Sequence, residues 1–348
     1  MPSVNPYYQS GVPIPLFAGT ENAEAIFLRA MEKMAAQNLL AIKNPLWQWL
    51  KTTNRIKYTD DLDVYRSVPL LTQANSTVQW YTGYDDALNV PQDSTHEAKF
   101  MWGNLAGTQL YNREEILKTG GSEGKLGQLV EDKTTALETT MTNLLAAALM
   151  GSQDADGRTM MGLGRVMTVD ATCGGIDPTQ PGFAYWNPQQ MLKASSGTYA
   201  LATELMPGLR RLKLLCAVDG ADVGDCFVCG ADVFEALQAY YDAKVMYQPG
   251  QGDKRHDPTD PSGEDNMKGL WFTVSTGDTY IYEPSLAAKA VYLLNWRHLD
   301  FEIHSGTNFA YSPWESLASK VAAKKRNCLL STRFTCQKRN YQGVGLFT

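Results

Sequence analysis

The longest regular alternation of apolar and polar positions lies between Ser122 and Gly151. Leu126, Leu129, Val130, Leu137, Met141, Leu144, Leu145 and Ala148 recur at steps of three and four, the spacing that gathers side chains on one face of an α-helix. Ser122 can cap its start, Glu123 suits the positive end of the helix dipole, and Gly151 closes the far end. A helix over 122–150 is a rod of roughly 40 Å, about twice an average globular helix.

Elsewhere the patterns are shorter. The first nineteen residues hold four prolines and no periodicity, yet carry Tyr7, Tyr8, Ile14, Leu16 and Phe17, so an extended arm lying on another surface is expected there. Residues 22–38 predict a helix with Phe27, Met31 and Met34 on one face. From Val64 to Trp102 the period falls to two: Val78, Trp80 and Thr82 alternate with Gln79 and Tyr81, a polar tip follows, and the chain returns through Lys99. Such a hairpin, showing Trp80, Tyr81, Tyr84, Phe100 and Trp102, is an aggregation hazard unless covered, and docking on another subunit is preferred to folding back on its own chain.

One helical turn is expected over Asn112–Lys118, broken by Gly120 and Gly121. Thr198 to Val218 predicts a helix interrupted near Pro207 and Gly208. Cys226–Cys229 reads as a short strand and Ala231–Met246 as a helix, with further strands at Leu270–Val274, Tyr280–Glu283, Ala290–Leu294 and from Asn327 through Phe334.

Composition narrows the classes. The 348 residues are 44% apolar and 20% charged, as in globular proteins, and exceed one ordinary core, so two lobes or one lobe with large excursions are expected. No apolar run approaches the roughly 18 to 20 residues of a membrane span, and no signal-peptide pattern is expected at the N-terminus. Six scattered cysteines do not form a disulfide framework, which suits a reducing compartment. The net charge of −6 opposes a nucleic-acid-coating surface.

Chemical motifs are sparse. Gly162 and Gly164 lack the lysine and strand–loop–helix order of a phosphate loop. Cys226 and Cys229 form a CxxC without a second pair at zinc spacing, and buried thiols are the simpler reading. The acidic stretch with Asp253, Asp257, Asp260, Glu264 and Asp265 departs from calcium-loop spacing and reads as an exposed loop. His96, His256, His298 and His304 form no helical pair, and there is no GxSxG or HExxH. An arm, a sticky hairpin, a rod and a lobe favour work done by surfaces, whose heterologous contacts can close into rings and shells.

With these parts in order, the sequence resembles the major capsid proteins of tailed bacteriophages with the Hong Kong 97 fold. The blocks that carry the likeness are VPLLTQANSTVQWYTGYD, AKFMWGNLAGTQLYNREEILKTGG, TCGGIDPTQPGFAYWNPQ, AVYLLNWRHLDF, NFAYSPW and NYQGVGLF. The resemblance implies an α+β fold: an N-terminal arm (1–50), an extended β-hairpin called the E-loop (64–106), a peripheral domain (107–160 and 290–348) with a spine helix (122–150), and an axial domain (161–289). It implies a homo-oligomer of pentamers and hexamers forming an icosahedral shell around double-stranded DNA, without sequence-specific binding, enzyme activity, cofactor, metal or membrane.

The inter-subunit contact candidates are Tyr7, Tyr8, Phe17, Trp80, Tyr81, Tyr84, Phe100 and Trp102. The short stretch before the hairpin suggests a separate scaffolding protein; portal and decoration proteins are further implied partners, and the location is the virion capsid after assembly in the host cytoplasm. The likeness departs at Tyr282-Glu283, where relatives carry an aspartate, and Lys99 and Asn340 are only loose counterparts of a lysine–asparagine crosslink. Two alternatives stand beside this reading: an encapsulin-like compartment around protein cargo, and a hydrolase using the acidic loop and a histidine.

Overall fold

The computed structural model describes residues 44–61, 63–71, 77–83, 86, 95–112, 123–154, 156, 158–193, 197–218, 220, 222–242, 271–274, 277–317 and 323–348. Residues 1–43 of the expected arm (1–50), the helix over 22–38, the turn over 112–118 (save Asn112), the cap Ser122 and the acidic loop lie outside these residues. Two compact units emerge. One contains the described parts of Ala106–Thr142 and Tyr311–Cys328; the other contains those of Ile42–Leu105, Asn143–Ala310 and Leu329–Thr348.

A first helix not anticipated from periodicity, α1 (Pro45–Thr52), begins where Asn44 accepts a hydrogen bond from the Trp47 amide at 3.0 Å and Pro45 takes the first helical position. Its Leu46, Trp47 and Leu50 are buried, and Trp47 meets the Phe301 ring edge-on at 5.3 Å. Strand β1 (Ile56–Thr59) follows, then β2 (Tyr65–Leu71), β3 (Thr95–Met101) and β4 (Gly103–Asn112).

The long helix is present as α2 (Glu123–Met150), 28 residues. Its buried face is turned away from the centre of the apolar stripe. Val130, Met141, Leu145 and Leu149 are buried, but so are Thr134, Glu138 and Thr142, whereas Leu144 is exposed. Polar positions are accepted because partners await them. In the smaller unit Arg326 donates to Gln109 at 2.6 Å and to Thr134 at 3.1 Å, and Tyr311 donates to Glu138 at 2.7 Å. The helix ends against α3 (Leu163–Met167): a Cβ at Gly162 would fall 1.9 Å from the Gly151 carbonyl oxygen, so this glycine serves close packing.

Beyond lie β5 (Gln189–Gln190), α4 (Leu201–Cys216), β6 (Cys226–Cys229), α5 (Ala231–Asp242), β7 (Trp271–Thr273), β8 (Thr279–Tyr282), β9 (Ala290–Leu294), β10 (Leu299–His304), β11 (Ala310–Tyr311), β12 (Glu315–Ser316), β13 (Ala323–Cys336) and β14 (Gly343–Leu346). One six-stranded sheet runs β1-β10-β13-β11, with β4 and β12 also paired to β13. The other runs β5-β14-β9-β6-β8-β7. Helices α4 and α5 cover the second sheet through Leu205, Leu209, Leu212, Val233, Phe234 and Leu237, which close over Phe227, Tyr280, Val291 and Leu293. Each such side chain contributes about 1.5–3 kcal/mol when fully buried.

Three sequence expectations change. In the second sheet β9 pairs with β6 and with β14, so strand pairing divides 290–348 between the two sheets. The break in α4 falls at Glu204 (φ −121°, ψ 19°) and not at Pro207. Proline lacks an N–H and crowds the preceding turn, so the distortion sits upstream while the proline occupies the start of the resumed helix. Residues 77–83 are not a strand, and among the described residues the ladder runs from Tyr65↔Met101 to Leu71↔Thr95. Cys226 and Cys229 sit in a central strand buried at all four positions, and burial pushes the Cys226 thiol up to about 12.

Candidate assembly surface

The hairpin is built from its ladder. β2 and β3 pair antiparallel from Tyr65↔Met101 to Leu71↔Thr95, and residues alternate between two faces. Tyr65, Ser67, Pro69 and Leu71 on β2, with Thr95, Glu97, Lys99 and Met101 on β3, form the exposed face. On the other face Ala98 and Phe100 are completely buried. Phe100 therefore has no surface left for a neighbour, because its own chain already covers it. The Lys99 amide donates to the Gly174 carbonyl at 2.9 Å, and His96 meets the Phe183 ring at 4.9 Å.

The root of the hairpin is a charged junction. Arg66 pairs with Glu302 and lies 3.7 Å from Asp300; Lys57 reaches Asp300 at 2.5 Å. Arg333, fully buried on β13, holds Glu302 at 2.6 Å and Asp61 at 3.1 Å. Its guanidinium stacks on Trp102 at 4.2 Å, and the Trp102 indole N–H donates to the Asp63 carbonyl at 2.8 Å. The Arg333 hydrogen bond, ahead of the smaller coulombic effects, holds the Asp61 carboxyl below its ordinary value. Trp102 thus works mainly inside its own chain.

The part of the hairpin beyond the ladder behaves differently. Trp80 is fully exposed, Tyr81 is 79% exposed and Val78 is 81% exposed. Of the eight contact candidates, Trp80 and Tyr81 present free surface, Phe100 is enclosed and Trp102 is half-enclosed. Tyr7, Tyr8, Phe17 and Tyr84 lie outside the described residues. Sequence reasoning missed the exposed ladder face, with Tyr65, Leu71 and Met101; the alternation carried that signal, but only burial tells which face is free.

Other chemistry is spread thinly. No group of three or more His, Cys, Asp or Glu side chains among the described residues is arranged to hold a metal ion. His298 Nε2 lies 2.5 Å from Asp222, which also accepts from Asn295 at 3.0 Å and Arg297 at 3.2 Å. Those bonds tie the segment before β6 to the β9–β10 turn. The Asn295 and His298 hydrogen bonds hold the Asp222 carboxyl low, the former more strongly.

No protein-family model and no curated protein sequence matches the chain. Solved structures do. The capsid asymmetric unit of cyanophage A-1(L) is similar at 14% identity, over 89% of this chain and 94% of that one, with a TM-score of 0.60. The capsid of an empty GTA particle is similar at 12% identity, over 90% and 92%, with a TM-score of 0.53. The capsid of Myoviridae phage XM1 follows at 8% identity, over 86% and 92%, with a TM-score of 0.52. The chain has the α+β Hong Kong 97 type of capsid fold.

Proposed function

We propose that this chain is the major capsid protein of a tailed bacteriophage, a structural subunit that assembles through pentamers and hexamers into an icosahedral shell. The observation that carries the reading is its likeness, over nearly the whole length of both chains, to subunits of phage capsids. The free aromatic end of the hairpin supports it. A soluble monomer gains nothing by holding Trp80 and Tyr81 in water, whereas a neighbouring subunit can bury them. The reading assigns 64–106 to the E-loop, α2 to the spine, and the stretch before α1 to an arm that brings Tyr7, Tyr8 and Phe17 to a neighbour. The first sheet becomes the peripheral one and the second the axial one, so the boundary between domains passes through 290–348.

The same proposal places double-stranded DNA inside the shell, held without sequence-specific contacts, and makes a separate scaffolding protein, a portal and a decoration protein the partners of assembly in the host cytoplasm. The work of the chain is then structural, and it needs no cofactor. Electron microscopy and sedimentation of the purified full-length protein test it. Closed shells built of pentamers and hexamers are expected; a monomer that persists at high concentration would overturn the reading. Native particles enclosing an enzyme instead of nuclease-protected DNA would point to a protein compartment.

A further inference from the structure

The hairpin leans on a turn that another part of its own chain holds in place. Cys173 and Ile176 exchange backbone hydrogen bonds at 3.0 and 3.2 Å, and the two residues between them, Gly174 (φ 61°) and Gly175 (φ 81°), both have left-handed backbones. That is the signature of a tight two-residue turn that glycine adopts without strain. Gly174 faces β3: a Cβ there would stand 3.1 Å from both Ala98 and the Phe100 ring. Its carbonyl takes the Lys99 amide, so the turn meets the hairpin through packing and through one backbone hydrogen bond.

The turn is secured from behind by Arg339. This guanidinium is completely buried and donates to five backbone carbonyls: Arg165 at 3.0 Å, Val166 at 2.8 Å, Thr168 at 2.5 Å, Ala171 at 2.6 Å and Trp186 at 3.0 Å. It therefore grips both flanks of the segment that contains the turn. Trp186, itself buried, passes the restraint on by donating its indole N–H to the Cys173 carbonyl at 3.0 Å. A planar fork satisfied by carbonyls fixes a loop's shape, which a flexible ammonium with fewer donors does less well.

We infer that Arg339 is a positioning residue for assembly: through the 165–186 segment and the Gly174 turn it sets the direction in which the hairpin leaves the subunit. The inference rests on the proposed shell function for its purpose, though not for its geometry. A hairpin free to swing would sample many directions, and every productive contact would then cost the entropy of ordering it. A hairpin already resting on the turn reaches its neighbour pre-aimed.

Hydrogen exchange on the full-length chain separates positioning from general stability. In Arg339→Gln the amides of 95–101, Lys99 above all, are expected to exchange at least about tenfold faster, while 226–229 and 290–294 keep their protection. Gly174→Ala, which leaves Arg339 intact and presses a methyl toward Phe100, supplies the same readout should the arginine variant fail to fold. Arg339→Lys should recover part of the protection. Unchanged exchange at 95–101, or equal acceleration across the whole second sheet, overturns the inference. Trp80→Ala together with Tyr81→Ala should raise the concentration at which shells appear by about 100-fold or more without altering Lys99 protection. If that threshold is unchanged the assembly role of the hairpin end fails, whereas the exchange result alone decides the role of Arg339.

Discussion

Glu138 shows how a polar residue can occupy the buried face of a helix. It accepts from the Tyr311 hydroxyl, with Arg326 close by, itself held between the Tyr311 ring at 4.3 Å and the Trp314 ring at 4.7 Å. Burial dominates, raising the carboxyl above its ordinary 4.5 against the lowering effects of Tyr311 and Arg326. The folded chain therefore holds this proton more tightly than the unfolded chain. Its contribution to stability is complete below 4.5 and is lost as pH rises through the raised value. Glu138→Gln retains an acceptor for Tyr311 and cannot ionise. The melting temperature of the variant relative to the parent should accordingly rise between about pH 4 and about pH 7. A difference that is flat with pH would mean that the carboxylate is fully compensated where it sits.

At the scale of elements, α2 provides a paired prediction. Leu145→Ala removes a buried side chain and should cost about 2–5 kcal/mol in denaturant unfolding, whereas Leu144→Ser, one position away on the exposed side, should stay within about 0.5 kcal/mol. Equal costs would restore the original apolar stripe as the packing face. The helix was legible because its side chains repeat at the right period, and β6 and β9 because short continuous apolar runs mark buried strands, whereas the alternation read at Val78–Thr82 lies off the ladder that β2 and β3 form. Strand β4 was not legible: its inward positions Gly103, Gln109 and Tyr111 include little that reads as apolar. Strand β10 hid for the opposite reason, since Asp300 and Glu302 look solvent-facing until Lys57, Arg66 and Arg333 arrive from distant segments to pair them. The α1 start was readable from Asn44-Pro45 and was missed for want of a long apolar pattern after it. The contact residues were half legible. Aromatic content marked the hairpin, but which aromatics are free depends on long-range packing of Phe100 near Gly174 and of Trp102 on Arg333.

At the scale of the whole molecule the question is how weak contacts make a strong shell. If a neighbour buries Trp80 and Tyr81, each contributes about 1.5–3 kcal/mol, so both together change the association constant of one contact by at least roughly 100-fold. That is enough to aim and hold a subunit, and little enough for a misplaced one to leave. Closure then multiplies such contacts, because each subunit is retained by several neighbours at once. The double substitution Trp80→Ala with Tyr81→Ala should therefore act on assembly and not on folding. Thermal unfolding of the isolated subunit is expected to match the parent, since both side chains are already in water. The concentration at which shells appear in light scattering should rise by about 100-fold or more. An unchanged threshold would place the decisive contact elsewhere on the subunit, with the exposed ladder face of Tyr65, Leu71 and Met101 as the next surface to alter. A lowered melting temperature would instead mean that the two aromatics serve the fold of their own chain.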